Sequence, residues 1–172
     1  VDTILGRQHF WPAKRYNKGN WRQTEWYDFL SGYFGEAKPI TILATGQSNM
    51  QSSCSGTGDL STNTYLYRWD SGTSTWVTTA FSATNPAIAF ARSYIEKYNA
   101  PVRIFHYAVG GTAIAQWQSG GSMYTTIVAY LSAAGNPQVD GVLWHQGEAD
   151  SGLSEDGYYA AFYQMVTTYR GL

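Results

Sequence analysis

Pro39-Ile40-Thr41-Ile42-Leu43-Ala44-Thr45-Gly46-Gln47-Ser48-Asn49-Met50 is the stretch from which the rest of the chain is read. Residues 40–45 are apolar and rich in β-branched side chains, which predicts a short buried strand. Gly46 ends it, and Ser48 follows at a strand-to-loop turn. Such a turn exposes the serine hydroxyl and sets the residue's own backbone N–H beside it, where it can help hold an oxyanion. Position alone leaves a second reading open, in which Ser48 only caps a following helix.

Downstream, residues 51–64 are rich in Ser, Thr and Gly and predict a loop. Residues 65–69 and 76–79 flank Asp70-Ser71-Gly72-Thr73, the pattern of a small hairpin. Asn85-Pro86 predicts a helix start, with Asn as N-cap and Pro at the first helical position. Ile88, Ala91, Ile95 and Tyr98 then give that helix one apolar face. Residues 102–109 predict a second buried strand, ended by Gly110-Gly111. A helix over 122–134 carries Met123, Ile127 and Tyr130/Leu131 on one side, and Gly135 closes it. Residues 139–144 predict a third strand. A last helix, 155–170, is expected to pack through Tyr159, Phe162, Val166 and Tyr169. Strands alternating with crossover helices predict an α/β fold with a parallel sheet. Ligands of open α/β sheets bind outside the carboxyl ends of the strands.

Three polar motifs fall at those strand ends. The first holds Ser48. The second is Gly110-Gly111-Thr112-Ala113-Ile114 with Trp117. Paired glycines after a strand leave backbone N–H groups open to a ligand, although a plain turn has the same composition. A phosphate loop is a rival, but its Gly-x-x-x-x-Gly-Lys-Ser/Thr pattern is missing. The third is Trp144-His145-Gln146-Gly147-Glu148-Ala149-Asp150. Gln146 can donate to an oxyanion, and Glu148 or Asp150 can orient a histidine. A metal held by His145, Glu148 and Asp150 is the rival here. No second histidine cluster supports it, because His9 and His106 lie far away in sequence.

Upstream, residues 1–38 differ in character. They are dense in aromatics with no clean period, and are expected to be a lead-in or a linker to an upstream domain. The domain proper is expected over 39–172. The chain has 172 residues, which fits one domain, and 44% hydrophobic residues, enough for a core. Charged residues make up only 13%, against about 25% in ordinary domains. The 14 Tyr and 7 Trp exceed core needs or line a sugar-facing surface. Net charge is −1, and Lys14, Arg15, Lys18 and Arg22 are interleaved with aromatics. Neither feature points to a nucleic-acid partner. A single cysteine, Cys54, rules out an intrachain disulfide. No apolar run approaches the roughly 20 residues of a membrane span. No signal peptide is visible and the first residue is not Met, which suggests a mature form or a piece of something larger.

The three motifs, in this order, resemble the SGNH/GDSL hydrolase superfamily. Within it the match is to the sialate O-acetylesterase and carbohydrate esterase family 6 group, over about residues 39–170. The resemblance implies a three-layer α/β/α, flavodoxin-like fold and removal of O-acetyl groups from sugars, with no metal or organic cofactor. Ser48 matches the family nucleophile. The oxyanion hole would be the Ser48 N–H, an N–H of Gly110 or Gly111, and the Gln146 side chain. Glu148 matches a carboxylate that works with the catalytic histidine. Gln47, Asn49, Trp117, His145 and Asp150 are expected to face the substrate, an acetylated carbohydrate.

One element of the pattern has no match. The family's catalytic histidine lies in a C-terminal Asp-x-x-His block, and none of His9, His106 and His145 corresponds to it. The expectation is a C-terminally truncated or cleaved form, with the histidine supplied by a further segment. A non-catalytic carbohydrate-binding module on the same fold is the alternative. An extracellular or virion-associated setting fits the composition: a module of an oligomeric phage tail spike acting on bacterial polysaccharide, or a secreted esterase of plant polysaccharide.

Overall fold

The computed structural model describes residues 38–52, 63–78 and 85–172. The aromatic lead-in over 1–37, with His9, lies outside the described residues, as do Cys54 and Thr79.

Strand β1, Ile40–Gly46, is buried at every position. It lies between two parallel neighbours, so both of its faces are covered. This explains why its sequence is a continuous apolar and β-branched run rather than an alternation. A short helix α1, Ser48–Gln51, follows after one residue. Strands β2, Leu66–Asp70, and β3, Thr75–Val77, form the expected hairpin. Helix α2 spans Pro86–Tyr98, strand β4 Val102–Ala108, and helix α3 Ser122–Ala133. Strand β5, Gly141–His145, and helix α4, Glu155–Tyr169, complete the order. Two single 3-10 turns, Ile114–Trp117 and Glu148–Asp150, follow β4 and β5.

The sheet runs β3-β2-β4-β1-β5 and is parallel except for the β2–β3 hairpin. The hairpin is therefore no appendage, because β2 pairs parallel to β4 and extends the main sheet. Ile40, Ile42 and Ala44 of β1 pack with Val102, Ile104 and Ala108 against Met50 of α1 and Ala87, Ile88 and Ala91 of α2. Leu43 and Phe105 face the other way, towards Trp117, Ile127 and Leu131, and Met165 of α4. Helices cover both faces of the sheet, which is the expected three-layer α/β/α arrangement.

Local signals account for the helix ends. Asn85 Oδ1 accepts the Ile88 N–H at 3.1 Å, and Pro86 opens α2. Asn99, in the left-handed region at φ 49°, closes it. Ser154 caps α4 through the Gly157 N–H. One helix face differs from expectation. Tyr159 points outward at 66% exposure, and Tyr163 at 64%. The inward face of α4 instead runs through Tyr158, Phe162, Met165, Val166 and Tyr169. Tyr158 and Tyr159 are chemically alike, so composition could not choose between them.

The topology has a consequence for ligands. After β4 the chain crosses to the far side of β1 and adds β5 there. The loops that leave the carboxyl ends of β1, β4 and β5 thus meet where the strand order reverses, the usual place for an α/β site.

Candidate active site

Gly46 makes the first turn feasible. It sits at φ +137°, and a Cβ built on it would lie 2.1 Å from the His145 carbonyl oxygen. Only glycine lets β1 and β5 close to this distance at their ends. The Gln47 N–H then donates to that same His145 oxygen at 2.9 Å.

Within the turn that follows, four of five residues are anchored to another strand or loop, while the Ser48 carbonyl accepts the Ser52 N–H of its own turn. Gln47, 4% exposed, accepts the N–H groups of Gly147 and Ala149 on its Oε1, at 3.4 and 3.3 Å. Asn49 donates from Nδ2 to Glu148 Oε1 at 2.7 Å. The Met50 carbonyl lies 2.9 Å from His106 Nε2. Gln51 accepts the Gly110 N–H on its Oε1 at 3.1 Å. Ser48 stands alone: neither its hydroxyl nor its N–H has a hydrogen-bond partner among the described residues. It is also not the N-cap of α1. Gln47 occupies that position, and Ser48 is the first helical residue. The capping account of Ser48 is therefore set aside.

The glycine loop lies against this turn. A Cβ on Gly110 would meet the Ser48 Cβ at 3.6 Å. Gly110 has its N–H committed to Gln51, whereas the N–H of Gly111, at φ +71° and exposed, has no partner among the described residues. Thr112 bonds from Oγ1 to the Val109 carbonyl at 2.7 Å and accepts from Trp117 Nε1 at 3.0 Å.

Trp117 is corrected by this geometry. It was expected to face the substrate, but it is fully buried in the core against Tyr107 and Trp144. Its indole N–H needs a partner there, and Thr112 supplies it. Trp117 supports the loop from beneath.

The third loop is held by a polar network. Gln146 donates from Nε2 to the Thr112 carbonyl at 2.9 Å and also to Asp150 Oδ2. Its Oε1 lies 2.9 Å from the Tyr158 hydroxyl. Asp150 Oδ2 also accepts the Ile114 N–H at 2.7 Å. Both Nε2 hydrogens of Gln146 are thus engaged, and Asp150 braces the glycine loop. Glu148 is exposed, and His145 Nε2 lies 3.3 Å from its Oε1. An exposed pair of this kind is worth little in stability. The Glu148 carboxyl is held below the usual glutamate range. Its own backbone N–H is the main cause, desolvation opposes it, and Asn49 and His145 add to the lowering.

Sequence reasoning missed Gln51 and Tyr158. Gln51 fell in a stretch read as loop, so nothing marked it as a brace. Among the described residues, no group of three or more His, Cys, Asp or Glu side chains is placed to hold a metal ion, and no helix is long and apolar enough to cross a membrane.

A family model described as carbohydrate esterase, sialic acid-specific acetylesterase matches residues 38–171. The chain belongs to this family. All three loops of the acetylesterase-family site fall inside the matched residues. No curated protein matches the chain in sequence. Solved structures share the fold. A protein from Arabidopsis thaliana superposes with a TM-score of 0.62 at 20% identity, over 80% of this chain and 69% of its own. A carbohydrate acetylesterase from Xanthomonas citri gives 0.58 at 22% identity, over 77% of this chain and 38% of its own. The protein NanS gives 0.59 at 18% identity, over 79% and 62%. The chain thus spans less than two thirds of the latter two. At these identities the likeness carries the fold.

Proposed function

We propose that this chain carries the nucleophile side of a carbohydrate O-acetylesterase, with Ser48 as the attacking group. The observation that carries the reading is the state of Ser48. Gln47, Asn49 and Gln51 are each tied to the second or third loop and Met50 to His106 of β4, while among the described residues Ser48 alone keeps hydroxyl and N–H unengaged at the switch point of the sheet. A nucleophile needs that combination of fixed backbone and free oxygen.

In the proposed reaction, Ser48 Oγ attacks the acetyl carbonyl carbon while a histidine takes its proton. The carbonyl oxygen becomes an oxyanion, which the N–H groups of Ser48 and Gly111 receive. Gln146 can join them only by releasing Thr112 or Asp150. The sugar oxygen leaves with the proton, and water then cleaves acetyl-Ser48 to acetate. The histidine comes from outside the described residues. His106 is largely buried beneath α1 with Nε2 on the Met50 carbonyl, and His145 is engaged with Glu148. An Asp-x-x-His segment would supply the base, and Glu148, kept ionised by its surroundings, would orient it.

The test is acetate release from an O-acetylated glycan by the full-length natural protein and its Ser48→Ala variant. The expected loss is at least about a thousandfold. Undiminished release by the variant would overturn the assignment.

A further inference from the structure

Gln47 and Asn49 flank Ser48, and both reach the same turn roughly a hundred residues away in sequence. Gln47 does so through backbone. Its Oε1 accepts from Gly147 and from Ala149, the residues on either side of Glu148. The N–H groups at the start of a helical turn have no partner within the turn, and here a buried side chain from another loop supplies one. Asn49 does so through the side chain, by donating to the Glu148 carboxylate. One neighbour of Ser48 fixes the backbone around Glu148, and the other fixes its carboxylate.

We propose that Gln47 and Asn49 are positioning residues, a two-point clasp that sets Glu148 relative to Ser48, and not the substrate contacts that their place beside the nucleophile suggests. The proposal rests on the esterase reading for its kinetic consequence, but the clasp itself is a matter of structure. Gln47 is 4% exposed, which leaves it little surface to offer a sugar. Its two bonds, at 3.4 and 3.3 Å, are longer than the usual 2.7–3.2 Å and each is weak. Removing their shared acceptor leaves two backbone donors without their protein partner, one on half-buried Gly147 and one on exposed Ala149, and the loss at Gly147 is the costlier. Gln47 is in turn held by its own N–H on the His145 carbonyl, so the clasp is anchored at the end of β5.

The experiment uses the full-length natural protein and three variants. Gln47→Met keeps length and removes the acceptor, Gln47→Glu restores an acceptor oxygen, and Asn49→Ala removes the amide. Amide hydrogen exchange is read at Gly147 and Ala149 against β1 as the internal standard. Gln47→Met is expected to speed exchange at those two amides by about tenfold, the scale of one lost hydrogen bond, and Gln47→Glu to restore protection. Asn49→Ala is expected to leave exchange unchanged and to move the Glu148 carboxyl titration, read by carbon-detected NMR, upward. In the esterase assay both Gln47→Met and Asn49→Ala lower kcat and leave KM within about twofold, the mark of lost positioning and not of lost substrate binding. Unchanged exchange in Gln47→Met, or a raised KM with full kcat in either variant, overturns the clasp. Should Gln47→Met fail to fold, the Asn49→Ala titration decides, and an unmoved Glu148 midpoint sinks the proposal. A protein with no Ser48-dependent activity would refute the esterase reading while the exchange and titration results still judge the clasp.

Discussion

Asn49 donates to Glu148 across 2.7 Å, joining the loop after β1 to the loop after β5. The residue before Asn49 is the one turn residue with no tie to another loop or strand among the described residues. A serine hydroxyl without a partner among the described residues therefore sits in a backbone that is fixed on both sides.

Gly46→Ala tests the close approach of β1 and β5. The new Cβ would collide with the His145 carbonyl, at a φ that side chains avoid. Backbone strain of this kind costs about 1–3 kcal/mol before any clash is added. Urea unfolding should show a loss at the top of that range or beyond, or no soluble protein. A loss under about 0.5 kcal/mol, the scale of a neutral surface change, would mean the strand ends are not this close.

Trp117→Phe separates support from substrate contact. The change removes the indole N–H that Thr112 Oγ1 accepts, in a fully buried setting. Stability should fall by about 1–3 kcal/mol, while KM for an acetylated glycan stays the same. A variant of full stability with a raised KM would return Trp117 to the binding surface.

His106 makes stability depend on pH. Burial depresses its pKa, the Met50 carbonyl partly restores it, and Arg68 adds to the depression. The folded protein therefore keeps His106 neutral where the unfolded chain, with an ordinary pKa near about 6.5, binds a proton. This contribution is fully present above that value and is lost as pH falls below it. Thermal melts between about pH 7.5 and pH 5.5 should show a larger Tm drop in the wild type than in His106→Gln, which cannot titrate. Equal drops would contradict the buried neutral state.

Tyr158→Phe tests the brace beneath Gln146. The hydroxyl lies 2.9 Å from Gln146 Oε1 and 3.0 Å from the Gln146 carbonyl. Its removal should cost about 1–2 kcal/mol and lower kcat more than it changes KM. No change in either quantity would show that Gln146 is held by Asp150 and Thr112 alone.

The sheet was legible above all from β1, which is buried at every position and so reads as an unbroken apolar run ending in glycine. The N-cap at Asn85 and the closing Gly135 of α3 were legible for local reasons, since capping chemistry is written in one or two residues. The placement of the motifs at neighbouring strand ends also followed from the pattern. What could not be read were contacts between loops. Nothing near Gln47 says that its partners are Gly147 and Ala149, and nothing near Gln51 says that it holds Gly110. Trp117 was placed at the substrate because it follows a glycine motif, yet its burial depends on α3 and α4, which lie further along the chain. Tyr159 failed for a smaller reason, a helix face offset by one residue.

The central claim is that Ser48 carries the acetyl group during turnover. Mass spectrometry of the full-length natural protein, acid-quenched during turnover of an O-acetylated substrate, tests it most directly. One acetyl mass on the peptide containing Ser48, absent in Ser48→Ala, is the predicted result. Steady acetate release with that peptide unmodified and the acetyl group on another residue would contradict the account.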